Sequence, residues 1–283
     1  MMDYTNKFLR YMLRRISTRA TLYTEMVTAN TIVHCPPSEL PRFLELPDGE
    51  CQPTVLQVGG ADPDLLRRAA AISAPWGYDA INLNCGCPSD RVAGKGAFGA
   101  TLMKDPELVA ACCAALAEGA PGIPITVKCR IGVIDDRTRA AEIDDETVYV
   151  GRRRTLEPNK TEQMCPRRAL ETPWTRPTLS VLRVTIEPSC LRSQAELHRF
   201  VSIVSTRGGV SHFVVHARRA VLGGLSPHQN RVVPPLRYNL VHRLAADFPE
   251  LRFSINGGIA AAIRAHHISA RGSRTLVTLA ACD

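Results

Sequence analysis

Residues 79–107 constrain the fold of this chain more than any other stretch. A short apolar segment at 80–84 is broken by Gly86 and Pro88. It passes into a glycine-rich loop at 94–99 and meets a helix start at Lys104-Asp105-Pro106-Glu107. Strand, loop and helix in that order indicate an α/β fold, in which the carboxyl end of a strand carries the chemistry. Cys85 and Cys87 stand at that end. Spacing alone leaves three readings of the pair: a reactive thiol, a packed structural pair, or a Cys-x-Cys metal motif. No second pair of ligands matches the last of these, so it is the weakest.

The same alternation runs through much of the chain. Residues 3–19 read as a helix with Phe8, Leu9, Met12, Leu13 and Ile16 on one face at helical spacing. Leu22-Tyr23-Thr24-Glu25-Met26-Val27 is strand-like, and a loop rich in proline and acidic residues follows at 35–53. A strand at 54–58 ends in Gly59-Gly60, and Asp62-Pro63 opens a helix that reaches residue 73. After the central strand come a helix at 106–117 and a strand at 125–130. Pattern resumes with helices at 195–205 and 239–247 and strands at 212–216 and 252–255. Strands alternating with helices of this length predict a mostly parallel sheet.

The region between is different in kind. Residues 134–194 are dense in arginine and proline and hold no sustained period. A structureless stretch of that length is uncommon inside a compact domain. It reads either as an RNA-binding arm or as an insertion with no selected role, such as translated non-coding sequence. We favour the second.

At 283 residues the chain is long enough for one barrel or two smaller domains. No apolar run approaches the ~20 residues needed to span a bilayer. The net charge of +8 favours an anionic partner without naming it. Ten irregularly spaced cysteines are no disulfide framework and suit a reducing compartment, cytoplasmic or organellar.

The run Asn82-Leu83-Asn84-Cys85-Gly86-Cys87-Pro88-Ser89-Asp90-Arg91-Val92 closely resembles the active-site stretch of the tRNA-dihydrouridine synthases, in particular the 20/20a subgroup that acts on the D-loop. Further segments are similar in the same order: Met1-Met2-Asp3-Tyr4-Thr5, Tyr23-Thr24-Glu25-Met26-Val27, Leu225-Ser226-Pro227 and Pro234-Pro235-Leu236-Arg237-Tyr238. The likeness covers residues 3–133 and 195–259. It implies an incomplete TIM (β/α)8 barrel, 1–133 forming its first part and 195–259 its continuation. On this reading the chain starts too late and the first barrel strand is missing. Residues 260–283 are a divergent tail in which neither the Gly-Arg phosphate clamp nor the helical tRNA-binding domain is recognisable.

The resemblance also implies roles. The family reduces uridine in tRNA with FMN and NADPH, delivering a hydride to C6 and a proton to C5 of the base. Cys87 takes the place of the proton donor, and Cys85 is a bystander. A thiol suits the task because it ordinarily titrates near ~8.5 and stays protonated at neutral pH. Cys87 is expected on a mobile loop that closes over the base. Gln57, Lys128 and His216 match flavin-contacting positions, and Asn256, Gly257 and Gly258 match a turn at the flavin phosphate. Asn84, Arg130, Arg218, Arg219, Ser226 and Gln229 match substrate positions, with Asp135 as a competing partner for Arg130. The implied partner is tRNA, engaged by a monomer away from any membrane. Missing barrel elements would leave sheet edges exposed, so FMN retention and solubility are expected to be low.

Two alternatives remain beside this reading. One is another flavin TIM-barrel reductase acting on a free pyrimidine. The other is a non-catalytic RNA-binding remnant of the same family.

Overall fold

The computed structural model describes residues 4–47, 53–89, 92, 98–134, 188–259 and 275–277. The insertion from residue 135 to 187, most of the glycine-rich run and nearly all of the tail after Ile259 lie outside the described residues.

Helices start where side chains can satisfy the unpaired N–H groups of the first turn. Asn6 caps α1 (Lys7–Ile16) by accepting from the Leu9 N–H at 3.0 Å. Asp62 caps α4 (Pro63–Ser73), taking the N–H groups of Asp64 and Leu65. Asp105 does the same for α5 (Pro106–Gly119) through Leu108. Proline occupies the first position of α4 and of α5, where its missing N–H costs nothing.

The strands are β1 (Leu22–Thr28), β2 (Thr54–Gly59), β3 (Ala80–Cys85), β4 (Ile125–Arg130), β5 (Val133–Ile134), β6 (His212–His216), β7 (Ala220–Val221), β8 (Arg252–Asn256) and β9 (Thr275–Val277). Among the described residues, seven form one sheet in the order β1-β2-β3-β4-β6-β8-β9. Every pairing is parallel. Each principal strand neighbours the next, with helices between successive strands from β1 to β8, which is the winding of a TIM barrel. No pairing joins β9 to β1 among the described residues, so the barrel is open.

Three strands were not legible in the sequence. β5 and β7 pair as a small separate sheet. β9 pairs with β8 in a stretch where the sequence suggested only a divergent tail. The helix expected at 195–205, α6 (Pro188–Gly208), begins earlier, and its first turns fall within the stretch assigned to the insertion. Short helices α2 (Ala29–His34) and α3 (Pro41–Leu44) occupy part of the ground between β1 and β2. The remaining helices are α7 (Gln229–Val232) and α8 (Tyr238–Asp247).

The apolar core lies between strands and helices. Leu83, Cys85, Val127, Cys129, Phe213, Val215, Phe253 and Ile255 join Leu66, Leu116, Phe200 and Val204 of the helices in one buried cluster. Apart from Val214, the intervening residues on the same strands are polar, and some bond to one another across the sheet. Asn82 donates to Thr126 Oγ1 at 2.8 Å, and His212 Nε2 lies 2.8 Å from Ser254 Oγ. The period-two alternation of strands thus leaves one polar face available to a ligand.

Helix α1 inverts its expected orientation. Phe8 and Ile16 are 75% and 74% exposed, whereas Arg10 and Arg14 are buried. Arg14 donates from Nη1 to the carbonyls of Ser17 and Ala20 and from Nη2 to that of Pro53. Three backbone acceptors offset most of the cost of burying this guanidinium, although Arg14 Nε is left without a partner.

Candidate functional site

The site is built at the carboxyl ends of β2, β3, β4, β6 and β8. Strand register puts Asn84 of β3 beside Lys128 of β4, and Lys128 beside Val214 of β6. One step further along, Arg130, His216 and Asn256 form the next row. Gln57 stands on β2, buried, and donates from Nε2 to the Thr24 carbonyl at 3.1 Å. Asn84 Nδ2 donates to Gln57 Oε1, linking β3 to β2.

Cys87 is half-buried, while Cys85 is fully buried with Cys112, Cys113 and Cys129 around it. Burial, and then the neighbouring thiols, push the Cys85 thiol well above its ordinary pKa. Cys85 is therefore a packed, protonated core thiol. Only Cys87 of the pair is partly open to solvent.

The backbone around Cys87 is fastened rather than loose. Asn84 Oδ1 accepts the N–H groups of both Gly86 and Cys87, each at 3.0 Å. The Cys87 carbonyl accepts the Ala100 N–H at 2.9 Å. Gly99 lies under it with φ +68°, and a Cβ there would stand 2.6 Å from the Cys87 carbonyl oxygen. Only glycine allows that approach without strain. The sequence placed Cys87 on a mobile loop. In the structure its N–H and its carbonyl are both hydrogen-bonded, while most of the loop that follows lies outside the described residues.

His216 is buried beside Lys128, Arg130, Arg218 and Arg231. Burial first, and then Arg130, Lys128, Arg218 and Arg231, drive its pKa far below the usual histidine range, so the ring is neutral. Its Nε2 and the Oδ1 of Asn256 are buried polar atoms without a protein hydrogen-bond partner. Gly257 and Gly258 follow with φ +103° and +65°. A Cβ on Gly257 would meet the His216 ring at 2.7 Å, and one on Gly258 would meet Leu236 at 2.5 Å. Close packing on His216 and Leu236 accounts for glycine here, in addition to the approach to a phosphate expected from the sequence. Tyr238 donates its hydroxyl to the Gly257 carbonyl and closes the turn.

The remaining sequence-derived candidates lie on the segment 217–237. Arg218 donates to the carbonyls of Val232 and Pro234. Arg219 is half-buried, and its carbonyl accepts from Arg130. Ser226 and Gln229 are exposed and cap each other: the Gln229 side chain accepts the Ser226 N–H, and Ser226 Oγ accepts the Gln229 N–H. Arg130 is 4% exposed and donates to the carbonyls of Gly86, Asn230 and Arg219. Asp135, its rival partner in the sequence, lies outside the described residues.

Sequence reasoning missed several residues of this arrangement. Thr24 supports Gln57 through its hydroxyl and its carbonyl. Met103 Sδ receives the Arg130 N–H. Asn230 is wholly buried. Asn230 opens a segment that carries the resemblance, but nothing local in the sequence marks it as buried.

No helix among the described residues is long and apolar enough to cross a membrane, and no cluster of potential metal ligands occurs among them.

Comparison with known proteins bears on the whole arrangement. The chain is 41% identical over 259 residues to a tRNA-dihydrouridine(20/20a) synthase of Synechocystis sp., covering 92% of this chain and 59% of that protein. It is 41% identical to the protein of the same description in Xanthomonas campestris, and 38% to that of Escherichia coli K12, covering 92% of this chain in both cases and 59% and 57% of those proteins. The chain therefore spans somewhat over half the length of these relatives. Among solved structures, an Old Yellow Enzyme from Pichia aligns over 98% of this chain and 74% of its own at 12% identity and a TM-score of 0.33, too slight a likeness to argue from. The family model for dihydrouridine synthase (Dus) matches residues 1–151 and 164–277. On that match, which takes in every strand of the open barrel, the chain belongs to the dihydrouridine synthase family.

Proposed function

We propose that this chain is the flavin-binding, uridine-reducing part of a tRNA-dihydrouridine synthase acting on the D-loop with NADPH as reductant. The observation that carries the reading is Cys87. It is a partly open thiol, fixed at the strand ends beside a polar, cationic rim. The relatives' names specify tRNA, and a net charge of +8 suits a polyanion.

The residues fit FMN. Two buried polar atoms without protein partners, His216 Nε2 and Asn256 Oδ1, face the same rim as Lys128 and the Gly257-Gly258 turn. Neutral His216 can donate or accept there, whereas a charged ring would be repelled by the four cations around it. Lys128 and the turn would hold the anionic portions of the cofactor, and Gln57 its ring edge. Bound FMN would supply the hydride that reaches C6 of the uracil.

The protein's own contribution is to place and protonate the base. Cys87 gives its thiol proton to C5 on the opposite face and recovers a proton from solvent, so the C5=C6 bond becomes C–C with one hydride and one proton added. Asn84 has one amide proton on Gln57, which leaves the other for a uracil carbonyl. Arg130, Arg218, Arg219, Ser226 and Gln229 lie where the RNA would approach, though Arg130 reaches it through the backbone it supports.

The first test is a visible absorption spectrum of the purified chain with FMN, followed by NADPH and unmodified tRNA. The reading requires a protein-bound flavin band that NADPH bleaches and tRNA restores, with dihydrouridine in the recovered RNA. Restoration that persists unchanged in Cys87→Ala would refute the role of the thiol.

A further inference from the structure

We infer that Asn230 is a positioning residue for Cys87, acting through Arg130, so that the segment bearing Arg218, Arg219, Ser226 and Gln229 is mechanically joined to the thiol. The inference rests on the reading of Cys87 as proton donor. The hydrogen bonds of Asn230 run to Val221, Leu225, Ser226 and Arg130, none of them the thiol or a residue assigned to the flavin.

The connection is continuous in hydrogen bonds. Asn230 Oδ1 accepts the Val221 N–H at 2.8 Å, and its Nδ2 donates to the Val221 carbonyl at 2.9 Å. The side chain thereby pairs with Val221 as a neighbouring strand would, next to the two-stranded β5–β7 sheet. The same Nδ2 reaches the carbonyls of Leu225 at 3.1 Å and Ser226 at 3.4 Å, which holds the 222–229 loop from inside. The Asn230 backbone carbonyl accepts Arg130 Nη1 at 2.8 Å. Arg130 Nε then donates to the Gly86 carbonyl at 3.2 Å.

That last bond is decisive because of which peptide it grips. The Gly86 carbonyl and the Cys87 N–H belong to one planar peptide unit. Arg130 holds its oxygen, and Asn84 Oδ1 holds its N–H at 3.0 Å. The Ala100 N–H holds the following carbonyl. With both flanking peptides fixed, the direction of the Cys87 Cα–Cβ bond is set. The guanidinium fork suits this task because its donors reach two segments, one 44 residues before Arg130 and one 100 residues after it; lysine offers a single point.

Residue-resolved alkylation of the flavin-free chain tests the inference without relying on turnover. A brief pulse of iodoacetamide is followed by peptide mass mapping, with Cys35 as the half-buried internal reference and Cys112 and Cys113 as buried reporters of global unfolding. Asn230→Ala should raise Cys87 labelling relative to Cys35 about fivefold, and Arg130→Lys about threefold, with Cys112 and Cys113 still protected. The double variant should label no faster than the faster single variant, because both cut one connection. Cys87 labelling within about 1.5-fold of wild type in both protected variants would overturn the inference. If Asn230→Ala exposes the core thiols, Arg130→Lys alone decides by the same criterion. Uridine reduction by the wild type is measured separately: its absence would sink the functional reading, whereas unchanged labelling would sink the strut.

Discussion

Replacing Asn84 with alanine tests how the thiol loop is held, and its consequences can be worked bond by bond. Asn84 is 8% exposed, and its Oδ1 is the acceptor for two backbone N–H groups while its Nδ2 serves Gln57. Asn84→Ala strands the Gly86 N–H and Gln57 Oε1 in buried positions, each costing about 1–3 kcal/mol. The Cys87 N–H belongs to a half-buried residue and recovers part of its loss from water. The total is about 3 kcal/mol, which for a domain of this size lowers Tm by roughly 6–12 °C. Asn84→Asp keeps both acceptor bonds and sets a carboxylate beside Lys128, its neighbour in the β3–β4 register, so only the Gln57 contact suffers. Its loss should be about 1 kcal/mol. Thermal melts followed by circular dichroism, paired with Cys87 alkylation, measure both effects. Asn84→Ala should melt lower than Asn84→Asp and label faster. Equal melting losses, or an Asn84→Ala melt within about 2 °C of wild type, would refute the claim that this side chain anchors the loop.

Gly99→Ala combines a left-handed φ of +68° with a Cβ 2.6 Å from the Cys87 carbonyl oxygen, so it should displace the thiol and cut single-turnover uridine reduction by about 10²-fold, as ~1 Å displacements do. Retention of the wild-type single-turnover rate would contradict that geometry. Gly119→Ala puts a methyl 2.0 Å from the Arg67 carbonyl where α5 crosses α4, and should cost about 1–3 kcal/mol in a denaturant melt while leaving the Cys87 loop unchanged. Burial, aided by the nearby Arg252, lowers the His212 pKa from 6.5 to about 4. The folded state therefore binds fewer protons than the unfolded one between those values, and stability falls as pH drops through that window, by up to about 3 kcal/mol. His216 adds to the same trend. His212→Gln should flatten the decline in Tm between neutral pH and pH ~5, and an identical slope in wild type and variant would show that His212 does not titrate as its burial requires.

Local chemistry made most of the elements legible. Asp62-Pro63 and Asp105-Pro106 start their helices because an aspartate oxygen and a proline satisfy the first turn using only adjacent atoms. The strands ending at Gly59, Cys85 and Arg130 appear as apolar runs stopped by glycine or by a polar residue, and their alternation with helices already implied a parallel sheet. The stretch around Cys87 was visible as a strand-end loop, and its resemblance to known sequences named the chemistry. What the sequence could not carry was any decision made between distant segments. Phe8, Met12 and Ile16 look like a core-facing stripe, yet α1 turns Arg10 and Arg14 inward because carbonyls from Ser17, Ala20 and Pro53 converge on the guanidinium of Arg14. Strand β9 is three residues long, too short for a period, and exists through its pairing with β8. Asn230 reads as an ordinary polar residue, and Arg130 only as a match to a substrate position, until the fold brings Val221, Gly86 and each other within hydrogen-bond reach. Periodicity and caps are properties of neighbours along the chain, so sequence determined them. Burial of a charge, closure of a ladder and the orientation of one thiol depend on partners up to 100 residues away, and only the tertiary structure decided those.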